Sequence, residues 1–444
     1  MTTQFEFTSR QRMFLMIGMA LGVICLGLTW MGDDELHTRF WTNFLHNSVF
    51  FTGIALMAGF FVAVCITAWA GWHATFKRIW ESMSMFLGVG LVLMGIIAIT
   101  TFMGWNHLYH WADAESVAND PILQGKASFL NKYWYLIGTF AVIGIWFFLA
   151  SKIRSLSIAE DTQGGDANFT LHRKQRVYAA IFLPLAGFLS AAMIWQWIMS
   201  LDAHWYSTMF AWYTGASWFV SMMCFTMLML IYLKGKGYFE YVTSEHIHDI
   251  GKFIFAFSIF WTYLWFSQYM LIWYANVGEE TIYFLERRDN YPVLFYGNLV
   301  INFLLPFFVL MRNDTKRKLG SVGFVALMVF FGHWVDFFQM IKPGALHTAH
   351  ELAGHGHGHG DHGADTHGGH AETAHDHVVE HGGGHGAEHV SEFVSGFTFP
   401  GLLEIGTFIG FLCLFIYVFF VMLSKASLLP EKDPYIEESL HHHV

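Results

Sequence analysis

Apolar residues run along this chain in long blocks separated by short polar connections. Blocks of membrane-spanning length fall near 11–31, 48–71, 83–103, 133–151, 177–200, 212–233, 251–275, 291–311, 320–341 and 399–424. Each reaches or approaches the roughly 20 residues that cross a bilayer as a helix rising about 1.5 Å per residue. None alternates with period two, which argues against a membrane barrel. The pattern predicts an all-α polytopic membrane protein with about ten transmembrane helices, numbered here in chain order.

Composition agrees. The chain is 55% hydrophobic and only 13% charged, about half the charged fraction of soluble domains. Lipid must be its solvent, because one water-soluble core cannot hide so much apolar surface. The net charge of −10 is gathered in a few loops, and no basic stripe points to nucleic acid. Cys25, Cys65, Cys224 and Cys413 each lie inside an apolar block and form no CxxC pair. They read as small packed side chains, not as ligands of zinc, haem or an iron–sulfur cluster. The opening residues MTTQFEFTSRQR lack a small-residue cleavage site, so the first block reads as a retained helix.

Lys and Arg set the expected orientation. With a cytoplasmic N-terminus, all of the 24 Lys and Arg face the cytoplasm except Arg39, Lys126, Lys132, Arg287, Arg288 and Lys342. That bias predicts both termini inside a bacterial cytoplasmic membrane. The expected organisation is 1–344 for helices 1–9, 345–392 for a His/Gly-rich periplasmic loop, and 393–444 for helix 10 and a cytoplasmic tail. The loop holds half of the protein's 26 histidines and too little apolar surface to fold alone. Its spacing fixes no metal geometry.

Helices 2–5 resemble helices 6–9. Phe51-Thr52-Gly53 opens one set and Tyr213-Thr214-Gly215 the other; WQWIMSLDAHW (195–205) ends one and GHWVDFFQM (332–340) the other. A shift of four helices preserves orientation, so the expectation is a parallel repeat of two four-helix bundles with helices 1 and 10 peripheral.

Ionisable side chains at membrane depth are costly and point to function. His333 and Asp336 lie three apart on one helix face. Asp202, His204 and Glu404 fall at the same end, and the five are expected to form one cluster. Glu81, His248 and Asp249, with His246, mark the opposite end, while Gln196, Gln268, Asn298 and Asn302 lie between. Carboxylates and imidazoles joined by polar links suit a proton path. His333 reads as the one deep histidine, so bound haem is not expected. Trp30, Trp41, Trp69, Trp72, Trp105, Trp111, Trp205 and Trp212 read mostly as interfacial belt residues.

The segments SLDAHWYST (200–208), FSQYMLIWYANVGEET (266–281) and GHWVDFFQMIKPG (332–344) resemble the NrfD-type membrane subunits of bacterial alternative complex III, a quinol:cytochrome c oxidoreductase. Length and the His-rich insertion make the chain similar to the shorter, ActF-type subunit. The resemblance implies a respiratory complex with an NrfD-type paralogue, an iron–sulfur protein and multihaem cytochromes c as partners. It implies quinol, such as menaquinol, as substrate of the complex, with haem c and iron–sulfur clusters held by partners and no cofactor on this chain. By position it implies Asp202, His204, His333 and Asp336 as proton-path residues, with Gln268 and Tyr274 as polar companions. No segment matches a quinol pocket. A quinol-binding NrfD-type subunit, a transporter or channel, and a plain membrane anchor stay open. Against a transporter, Pro184 and Pro306 interrupt helices that are not repeat equivalents.

Overall fold

The computed structural model describes residues 4–165, 168–356 and 396–443. Among these residues, ten helices are long and apolar enough to cross a membrane: α1 (Ser9–Met31), α2 (Thr38–Thr67), α3 (Lys77–Met103), α4 (Lys132–Gln163), α5 (Thr170–Leu201), α6 (Met209–Lys234), α7 (Ser244–Ala275), α8 (Pro292–Leu310), α9 (Leu319–His350) and α10 (Leu402–Leu423). The chain is an all-α polytopic membrane protein. Helix ends carry ordinary stop and start signals. The Asn131 side chain accepts from the Trp134 amide at 2.9 Å and starts α4; Gly104, at φ +72°, ends α3 where a side chain would be strained.

Two closed rings of helices result. α2, α3, α4 and α5 pack successively around one axis, and α6, α7, α8 and α9 around another. The rings meet where α2 touches α6 and α9 while α6 touches α2 and α5. Exchanging the two sets maps one list onto the other, which is the contact pattern of a two-fold axis along the membrane normal. Gly53 and Gly215 show the same relation at atomic scale. A Cβ on Gly53 would overlap the Trp218 ring of α6, and one on Gly215 would stand 3.9 Å from Met57 of α2. α2 and α6, which face each other across this seam, are the most enclosed, with 83% and 78% of their windows buried, against 17% for α1.

α1 and α10 form the peripheral pair, with α10 resting on α2 and α3. Their backbones touch: a Cβ on Gly22 would lie 2.5 Å from Gly410 Cα. Small residues allow such approach, and close backbone packing is the main attraction between helices in lipid.

Some boundaries differ from expectation. α9 continues past Pro343 to Gly356, so residues 345–356 are helical; the remainder of the His-rich segment lies outside the described residues. A further helix, Gly278–Asn290, connects α7 to α8. It is too polar to read as a span and too short to announce itself by periodicity. Trp30, Trp69, Trp105 and Trp212 are exposed as belt residues would be, but Trp41, Trp111 and Trp205 are buried. Trp205 instead stacks on Tyr283 at 3.8 Å.

The two ends of the bundle differ. The face bearing the termini is closed by the C-terminal tail, where Asp433 pairs with Lys77 and Ser439 Oγ donates to the Trp72 carbonyl at 2.7 Å. Although burial opposes it, the Lys77 ammonium holds the Asp433 carboxyl down at about 2. The opposite face, which bears the α9–α10 connection, is called the loop face below.

Candidate functional site

Asp336 is completely buried in the second ring, and every helix of that ring addresses it. Tyr213 and Ser217, one turn apart on α6, both donate to the carboxylate, Ser217 Oγ at 3.0 Å. Trp261 Nε1 of α7 donates at 2.9 Å and Asn298 Nδ2 of α8 at 2.7 Å. His333, also fully buried, lies 3.9 Å from Asp336 and shares Ser217, whose Oγ is 2.8 Å from Nδ1. Four donors around one carboxylate satisfy the lone pairs that lipid cannot.

α8 is shaped for this contact. The Leu305 amide bonds to the Val300 carbonyl, a single π turn over Val300–Leu304. Pro306 follows and has no N–H for the Asn302 carbonyl, which favours an irregular turn there. Asn302 Nδ2 in turn donates to Asn298 Oδ1 at 2.5 Å, orienting the amide that faces Asp336.

Two separate cavities lie between this centre and the loop face. The nearer has a volume of about 20 Å³ and is walled by Tyr213, Gln268, Tyr283, Arg287 and Gln339; it has room for about one water. Tyr283 also lines the farther cavity, of about 280 Å³, with His110, Asp202, His204, Glu286 and His347. Arg287 stands between them. It donates to Asp202 Oδ2 at 2.8 Å and to the carbonyls of Tyr283 at 3.0 Å and Gln339 at 3.1 Å. Burial pushes the neighbouring Glu286 carboxyl above its ordinary range, against the pull of Arg287.

The five residues expected to cluster at this end divide among separate sites. His333 and Asp336 form the centre. Asp202 belongs to Arg287 at the cavity wall, and His204 Nε2 meets Asp120 Oδ2 at 2.5 Å on its rim. Glu404 is elsewhere, because α10 packs outside the second ring. It accepts from Arg39 at 2.7 and 3.0 Å, from Asn43 at 3.1 Å and from the Gly401 amide at 3.0 Å. Beside it lies Lys342, fully buried, whose ammonium has no hydrogen-bond partner among the described residues and sits 4.4 Å from the Phe397 ring centre.

At the termini face the expected residues are also tied up locally. Glu81 accepts from Arg78 at 2.6 Å, Asp249 meets Lys252 at 2.9 Å and His442 at 2.6 Å, and His248 is buried beside Arg317 and Lys252. Asn298, Asn302 and Gln268 reach the centre or its cavity; Gln196 instead donates to the Phe129 carbonyl in the first ring. Tyr274 is exposed on the outside and takes no part. His333 is not the one deep histidine: His46 is buried in α2 with Nε2 2.9 Å from the Trp334 carbonyl.

Tyr213, Ser217, Trp261, Tyr283 and Arg287 were not anticipated. The i, i+4 spacing of Tyr213 and Ser217 on an apolar helix was the available signal. No family model matches the chain, and no curated protein matches it.

Proposed function

We propose that this chain is a membrane subunit of a quinol:electron-acceptor oxidoreductase of the alternative complex III type, in a bacterial cytoplasmic membrane. In this reading it anchors the complex and carries a proton path centred on Asp336. Quinol is the substrate of the complex, and the iron–sulfur protein, the multihaem cytochromes c and an NrfD-type paralogue are its partners. Haem c and iron–sulfur clusters belong to those partners. The loop face is periplasmic and both termini are cytoplasmic.

The observation that supports a proton role is the convergence on Asp336. A carboxylate at this depth is expensive, and a purely structural role would not require an adjacent imidazole or cavities leading toward one face. Protons pass between His333 and Asp336 through Ser217, then by Tyr213 and a water to the Arg287 region.

An Asp336→Asn variant tests this. It keeps the shape of the side chain and removes the ionisable carboxylate, but its NH2 group meets two of the four donors, so less complex should assemble. Reconstituted complex, compared per assembled complex, should lose proton release or membrane potential. Unchanged proton stoichiometry per complex would leave Asp336 a structural partner and sink the path.

A further inference from the structure

Three potential ligands meet on the rim of the larger cavity, each delivered by a different segment. His110 opens the short turn His110–Ala112 after α3 and is buried. Asp120 caps the short helix Pro121–Lys126: its Oδ1 accepts from the amides of Ile122 at 2.8 Å and Leu123 at 3.4 Å. That leaves Oδ2 facing His204 Nε2. His204 follows α5, and Lys126 Nζ holds its segment by donating to the carbonyls of Ala203 at 2.6 Å and His204 at 3.3 Å. The nearest ammonium is thus engaged with backbone oxygens.

One ligand atom from each of His110, Asp120 and His204 lies within 4.8 Å of the other two. Tetrahedral coordination with bonds of about 2.1 Å sets such atoms about 3.4 Å apart, so the Asp120–His204 contact would open from 2.5 Å to admit the ion between them, an adjustment within reach of side-chain rotation. Two imidazoles and one carboxylate are a borderline N/O donor set, suited to zinc and similar ions, with a fourth position open to water. We propose that His110, Asp120 and His204 form a binding site for a divalent transition metal, of the class represented by Zn²⁺.

The site stands independently of the proton path. A bound ion would in addition cover the mouth of the cavity that leads to Asp202 and Arg287.

Co²⁺ is a suitable probe, because tetrahedral N/O coordination gives it strong visible absorption. Purified full-length protein is dialysed against Co²⁺ beside His204→Ala and Asp120→Asn. The His-rich segment also offers imidazoles, so the readout is the difference between proteins. Asn at 120 retains the helix cap, which keeps that variant folded should His204→Ala perturb its loop. The wild type is expected to bind one more tight equivalent per chain than either variant and to show tetrahedral absorption that both lack. Equal stoichiometry and equal spectra in all three proteins would overturn the site and leave Asp120 and His204 as an ion pair.

Discussion

Arg287 Nε donates to the Gln339 carbonyl at 3.1 Å, replacing the amide that Pro343 cannot supply one turn along α9. The same guanidinium holds Asp202, so one side chain mends a helix and neutralises a carboxylate. Arg287→Met removes both bonds. Breaking a buried ion pair costs about 3–5 kcal/mol, and the low end applies because Asp202 still reaches the cavity. Pro343→Ala restores an amide for Gln339 and should recover part of the loss. Unfolding midpoints of the two single variants and the double variant in detergent give the coupling; strict additivity would show that the bonds are unrelated.

The α1–α10 pair depends on two glycines. Gly22→Leu must push the helices apart, since even a Cβ there stands 2.5 Å from Gly410 Cα. Overpacking of this kind costs about 1–3 kcal/mol. Because α10 also rests on α2 and α3, the second ring should keep its fold. A cysteine cross-linking scan along α1 and α10 should lose its pairs selectively, and retention of every cross-link would refute the contact.

The tail's anchor has a defined pH window. Asp433 is held at about 2, below the roughly 3.9 of a free Asp. A depressed carboxyl contributes stability that is fully present above the unfolded value and is lost as pH falls through the folded one. The tail should therefore stay protease-resistant from neutral pH down to about 4, and loosen only below it. Asp433→Asn should free the tail at all pH values. Limited proteolysis read by mass spectrometry distinguishes the two, and a protected Asn variant would contradict the assignment.

Lys342 presents the opposite balance. Its ammonium lies over Phe397 and Phe338, contacts worth up to about 2 kcal/mol when desolvated. Desolvating an ammonium costs several kcal/mol, which leaves a deficit. Lys342→Met is expected to raise the unfolding midpoint of the purified chain, and a lower midpoint would show that Glu404 or another group repays the charge.

Much of the architecture was legible because lipid imposes a length and a composition on every span. The repeat was visible through Gly53 and Gly215, since a helix seam demands small residues at equivalent places. His333 and Asp336 stood out for the same reason: charge in an apolar block has no cheap explanation. The grouping of Asp202, His204 and Glu404 was not legible. Position along the membrane normal follows from the chain, but position around the bundle follows from which helices touch. α10 lies outside the second ring, and Glu404 sits beside Lys342, six residues along α9 from Asp336. Arg287 was hidden because it sits on a connection whose path no periodicity reveals.

The π turn of α8 holds one residue more than a regular helix needs over the same rise. Removing one residue from 300–304 would let α8 wind as a continuous α-helix, with Asn298 before it and Pro306 after it each keeping its facing. Homologous chains are thus free to differ in length by one at this point alone in α8. A gap placed elsewhere in the helix would set every later side chain about 100° out of register.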